Sequence, residues 1–108
     1  MSKTLIDHVN SLSRYSDDTP DDIIWSILHN KVKMDDDTLL VYRVESHSHG
    51  NELNVMWGSG DGNKLDEWAT QIAKENNCKK MYVITKRWRP FMRRFRAKPT
   101  AVILEREV

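Results

Sequence analysis

The segment 52-ELNVMWGSGDGNKLDEWATQIAKENNCKKMYVIT-85 decides the architecture of this chain. Its first part, ELNVMWG (52–58), is strand-like, and SGDGN (59–63) is turn chemistry. From Lys64 onward, Leu65, Trp68, Ala69 and Ile72 recur at helical spacing through KLDEWATQIAKENN. MYVIT (81–85) is a second apolar strand. A strand, helix, strand order predicts a crossover with parallel strands. Strands 53–57 and 81–85 should therefore be parallel neighbours joined by a right-handed helical crossover, with 39–46 antiparallel to the former on its other side.

Upstream, TLLVYRVES (38–46) is strand-like and is separated from 52–58 by the polar HSHGN, whose Gly50 permits a turn. The two runs read as an antiparallel hairpin. Before it, TPDDIIWSILHNKV opens with a helix start signal: Thr19 as N-cap, Pro20 at the first helical position, and Asp21 and Asp22 near the positive helix end. Ile24, Ile27, Leu28 and Val32 form its expected apolar stripe, and Trp25 and Trp68 are expected in the core. Residues 1–18 are expected to be an N-terminal segment, flexible or helical, ahead of a single domain over 19–108. Downstream, RPFMRRFRA (89–97) reads as a short helix and TAVILEREV (100–108) as a last strand.

A chain of 108 residues makes one ordinary domain with one compact core. Its 39% hydrophobic content and four Trp argue for a folded chain despite 31% charged residues. The single Cys78 excludes an internal disulfide and points to a buried free thiol in a reducing compartment. The N-terminus lacks the apolar run of a signal peptide, and no stretch approaches the ~18 apolar residues of a membrane span. Charge is uneven: residues 1–61 hold eleven acids and five bases, residues 62–108 five acids and twelve bases. Such asymmetry suits a polyanion partner, or two halves that attract one another within the fold or across a homo-oligomer.

The element order, together with the Asn76-Asn77-Cys78-Lys79-Lys80 helix exit, the Trp88 ahead of a basic short helix and a final VILEREV, resembles the GNAT N-acetyltransferase fold, most closely its small, divergent tailed-phage versions. The resemblance runs from about Thr19 to Val108 on loose motifs. It implies an α+β fold with a mixed, mainly antiparallel sheet, one parallel βαβ crossover and helices on both faces.

In active members of that family, a Q/R-x-x-G-x-G/A loop aims backbone N–H groups at the acetyl-CoA pyrophosphate, and the next helix N-terminus supports the charge. Here the resemblance places Trp57 at the Gln/Arg position and Gly60 and Gly62 at the glycines, making Gly58, Ser59, Gly60, Gly62 and Asn63 the candidate cofactor-binding residues. Asp61 puts a negative charge where a polyphosphate would lie, and the glycines serve equally as a flexible turn. The family's general-acid Tyr has no counterpart, because FMRRF offers only Arg93, Phe91 and Phe95 near that position. Glu52, at the start of its strand, is the one candidate for the amine's base, and a strand-end Glu is also simply solvated. The expected cofactor is accordingly none, with acetyl-CoA as the alternative.

The segment 86–98 carries seven Lys or Arg in thirteen positions. Lys86, Arg87, Arg89, Arg93, Arg94, Arg96 and Lys98 form the candidate binding surface, with Arg89, Arg93 and Arg96 on one helical ridge. Interleaved Trp88, Phe91 and Phe95 read as the core side of an amphipathic element rather than as base-stacking platforms. A solvated face, protein docking and phosphate or nucleic-acid contact all remain open for it. His47 and His49 form an H-x-H pair in the turn, but no Cys, Glu or Asp of matching spacing completes a ligand set, so no metal is expected. His8 and His29 are expected at the surface or at helix ends. The functional expectation is a GNAT-like protein with a degenerate acetyl-CoA site that binds a phage or host protein, in the host cytoplasm or the virion, with no membrane partner. The alternatives are an acetyl-CoA-dependent N-acetyltransferase and a nucleic-acid-binding accessory protein.

Overall fold

The computed structural model describes residues 3–14, 18–83, 96–99 and 106–107. Their order is α1 (Leu5–Arg14), α2 (Pro20–Leu28), β1 (Lys31–Met34), β2 (Leu39–His47), β3 (Gly50–Ser59), α3 (Gly62–Glu75) and β4 (Cys78–Val83). The strands form one mixed sheet in the order β1-β2-β3-β4. β1 and β2 pair antiparallel, as do β2 and β3, whereas β3 and β4 pair parallel with Leu53 opposite Met81 and Val55 opposite Val83. The α+β class, the hairpin and the parallel crossover strands are as the sequence predicts.

Capping fixes the helix ends. Thr4 and Asp7 exchange side-chain to backbone bonds at the start of α1, and Thr19 and Asp22 form the same reciprocal box at α2 behind Pro20. Beyond α3, Asn77 adopts φ 55°, the left-handed conformation that ends a helix and that Asn tolerates better than most residues.

A bulge decides which face each side chain joins. Val41 lies opposite Trp57 and Tyr42 opposite Val55, so Met56 is an extra residue in β3. Below it, Leu53 and Val55 face α3 and form a core with Leu40, Leu65, Ala69 and Ile72. Beyond it, Gly58 returns to the α3 side, where a Cβ would lie 3.1 Å from Leu65 Cδ1. Trp57 and Ser59 therefore turn to the opposite face. There Trp57 Nε1 donates to Ser26 Oγ of α2 at 3.2 Å, and Ser59 Oγ bonds His8 Nδ1 of α1 at 3.0 Å. Leu39 and Val41 alternate with Leu40 on this second face, and they, Val9 and Ile23 are almost wholly buried. Helices thus cover both faces. The domain also includes α1, whose His8 and Val9 are buried against the sheet.

Several expectations fail for local reasons. In α2, Ile23 is buried and Ile24, Ser26 and Ile27 are half-buried, followed by Asn30, so Ile24 and Ile27 of the expected stripe are covered while Leu28 is not and Ile23 takes the deepest place. Ser26 and Asn30 face inward because they are bonded: Asn30 Nδ2 donates to the Ser26 carbonyl at 2.7 Å, and Asn30 Oδ1 accepts from Arg43 Nε at 2.9 Å. Trp25 and Leu28 consequently point outward, at 61% and 76% exposure, and Trp25 stacks on His29 at 4.0 Å between ring centroids. Val32 belongs not to a helix but to β1, opposite Val41. Trp68 packs against the α3 core with Lys33 Nζ 4.9 Å from its ring centroid.

Most of the expected short helix (89–97) and last strand (100–108) lies outside the described residues. At the margins, Arg96 is a turn residue with φ 52°, and Arg106 and Glu107 are exposed and outside any strand. No helix among the described residues is long and apolar enough to cross a membrane.

Candidate functional site: the glycine loop and the hairpin tip

The loop between β3 and α3 is filled by the chain itself. Asp61 is the N-cap of α3, and its Oδ1 accepts from the backbone N–H of Asn63 at 2.9 Å and of Lys64 at 3.3 Å. These are the donors that a helix N-terminus would offer an anion. Gly60 adopts φ +109°, and a Cβ there would run into the backbone of Asp37 and Thr38, so the β1–β2 turn sits directly against the glycine. Thr38 Oγ1 accepts from the Asp61 N–H at 3.2 Å, which fixes that approach. Lys64 Nζ bridges Asp35 Oδ2 at 2.8 Å and Asp37 Oδ1 at 2.7 Å. The Lys64 bond, with help from Thr38, pulls the Asp37 pKa down to about 2, and the two carboxylates push that of Lys64 up. The loop's surroundings are therefore acidic.

Of the other candidate cofactor-binding residues, Gly58 is needed because Leu65 crowds it, and the Ser59 hydroxyl is engaged by His8. Glu52 does not join this loop. It lies six positions before Gly58 on β3, roughly 20 Å away at ~3.3 Å per residue. Of the basic surface, Lys86, Arg87, Arg89, Arg93 and Arg94 lie outside the described residues, whereas Arg96 and Lys98 are exposed.

Glu52 instead belongs to a polar cluster at the tip of the β2–β3 hairpin. The register pairs Glu45 directly with Glu52 and His47 with Gly50. Two carboxylates opposite one another repel unless a polar partner is set between them. His47 Nε2 occupies that position, 3.4 Å from Glu45 Oε2 and 3.2 Å from Glu52 Oε2. Each carboxylate is held by its other oxygen: Arg43 lies 3.6 Å from Glu45 Oε1, and His49 Nε2 is 2.8 Å from Glu52 Oε1. The His47 and His49 rings stack with centroids 5.2 Å apart. The His49 bond holds the Glu52 carboxyl below its usual range, and the charges of His47, His49 and Lys80 add to this. Glu45, His47 and Glu52 thus place one ligand atom each within 4.8 Å of one another, a grouping that spacing along the chain does not reveal.

Two further reactive side chains are accounted for. Cys78 is half-buried in β4, and burial pushes its thiol pKa up, away from an activated thiolate. His8 is fully buried rather than at the surface, and its Nε2 has no hydrogen-bond partner among the described residues. No protein-family model matches the chain, and no curated protein matches it.

Proposed function

We propose that this protein is a non-catalytic binding module of GNAT-like arrangement, whose acetyl-CoA loop is closed by its own side chains and whose basic C-terminal segment engages a phage or host protein, in the virion or during its assembly. The observation that carries this reading is the Asp61 carboxylate, which takes the Asn63 and Lys64 amides and sets a negative charge where a pyrophosphate would need positive potential. The seating of Gly60 against Asp37 and Thr38, and the distance of Glu52 from the loop, weigh on the same side. The parallel β3–β4 pair across α3 supports the likeness of arrangement. The docking half of the proposal rests on seven bases within 86–98, which let an acidic protein surface meet several cationic groups at once.

Calorimetric titration with acetyl-CoA and CoA tests the first half. No saturable heat is expected, and a low-micromolar dissociation constant would restore the acetyltransferase reading. For the second half, capture of a partner from infected-cell lysate should survive nuclease and be lost when Arg89, Arg93 and Arg96 are changed to Glu. Nuclease-sensitive capture would assign the segment to nucleic acid.

A further inference from the structure

We infer that the tip of the β2–β3 hairpin is a binding site for a first-row transition-metal dication of the Zn2+ class, ligated by His47 Nε2, Glu45 Oε2 and Glu52 Oε2. The inference is independent of the loop and of the basic segment. It begins with the distances. A tetrahedral zinc ion with ligand bonds of ~2.0–2.2 Å separates its ligand atoms by about 3.4 Å. His47 Nε2 lies 3.4 Å from Glu45 Oε2 and 3.2 Å from Glu52 Oε2, so two edges of such a site are already at length. The three ligand atoms fall within 4.8 Å of one another, and a modest rotation of the Glu45 carboxylate, the more open of the two, closes the third edge.

The surrounding bonds position these atoms. Arg43 holds Glu45 Oε1 and His49 holds Glu52 Oε1, which leaves both Oε2 atoms turned toward His47. A ligand oriented by an outer hydrogen bond, as Glu52 is by His49, is a recurrent feature of metal centres. His49 is thus a positioning residue for Glu52, and the stacked His47 and His49 rings limit how far either imidazole can turn. The fourth position is left to water or to a donor from a partner.

The choice of ion follows from the charges. Arg43 pairs with Glu45, and Lys80 lies in register with Glu52 on β4, so the two carboxylate charges are offset locally. A hard ion such as Ca2+ or Mg2+ depends on summed oxygen charge and gains little here. An imidazole nitrogen with two carboxylates suits Zn2+ and its first-row neighbours, whose affinities rise toward the end of the series.

The full-length chain, freed of metal, should be titrated with Zn2+ by calorimetry and with Co2+ by visible absorption. One ion per chain is expected, with the intense visible bands of four-coordinate Co2+. His47→Ala should weaken Zn2+ binding by about 100-fold or more, and Glu45→Gln and Glu52→Gln by about 10-fold each. His49→Ala should weaken it by ~10–100-fold while keeping the Co2+ band shape, as befits an outer residue. All four variants should match the wild type in circular dichroism and in melting with a chelator present, because the tip is outside both cores. Histidine side-chain NMR of the wild-type chain needs no variant: Zn2+ should shift His47 first. The inference is overturned by the absence of one-to-one saturation, by a shift confined to His8 or His29, by unchanged binding in His47→Ala, or by unchanged binding when Glu45 and Glu52 are both Gln.

Discussion

Trp57 donates its indole N–H to the Ser26 hydroxyl across 3.2 Å, tying β3 to α2 on the face of the sheet away from α3. The bond exists because the extra residue Met56 turns Trp57 over. A half-buried bond between neutral groups contributes about 0.5–1.5 kcal/mol. A double-mutant cycle of Trp57→Phe and Ser26→Ala, read by urea unfolding, should give a coupling of about 1 kcal/mol. Strict additivity would mean that the two side chains do not cooperate.

Gly60 and Gly62 look equivalent in the loop motif but should respond differently. Gly60→Ala forces a Cβ against Asp37 and Thr38 at φ +109° and should cost about 2–4 kcal/mol. Gly62 opens α3 without a positive φ, so Gly62→Ala should be neutral or stabilising by up to about 1 kcal/mol. Chemical denaturation of the two variants makes the comparison.

The same measurement tests the face of α2. Ile23 is fully buried and Leu28 is 76% exposed, so Ile23→Ala should lose about 2–5 kcal/mol and Leu28→Ala less than about 0.5. The reverse order would restore the stripe built on Ile24, Ile27 and Leu28.

Acid should weaken the fold in two steps. Burial lowers the His8 pKa below its ordinary 6.5; Lys3 adds to the shift, while Asp7, Asp37 and Asp35 oppose it. The unfolded chain therefore takes up the proton first, and stability falls as pH drops below about 6.5, by up to ~1.4 kcal/mol per pH unit for one proton. His8→Leu should flatten the profile between pH 7.5 and 5.5 relative to the wild type; an unchanged slope would rule out His8 as its source. The second step is shared by the carboxylates held below their ordinary range, Asp7, Glu52 and Asp37, the last with a pKa of about 2 against an ordinary 3.8. The Asp37 contribution is present above pH 3.8 and is lost as pH falls toward 2, so Asp37→Asn should remove that part of the acid transition.

The strand, helix, strand order of 52–85 was legible because each element carries its own local signal: apolar strand runs on either side of a helical stripe from Leu65 to Ile72, with turn residues between. The helix start at Thr19 is equally local, since a cap reaches only two or three residues along the chain, whereas Asp61, read in the sequence as part of a turn, is shown to cap α3 only by the structure. Tertiary structure decided the rest. The inward face of α2 includes Ser26 and Asn30, polar residues whose partners Trp57 and Arg43 lie on other elements, so apolarity alone placed Ile24 and Ile27 but put Leu28 inside and left Ile23 out. The bulge at Met56 cancels the simple alternation that would keep Trp57 with Leu53 and Val55. At the hairpin tip, a two-residue turn of Ser48 and His49 sets Glu45 opposite Glu52, whereas a one-residue slip would send the two carboxylates to different faces. The sequence shows the glutamates and histidines as separate letters; only the register, fixed by packing of both sheet faces, makes them neighbours.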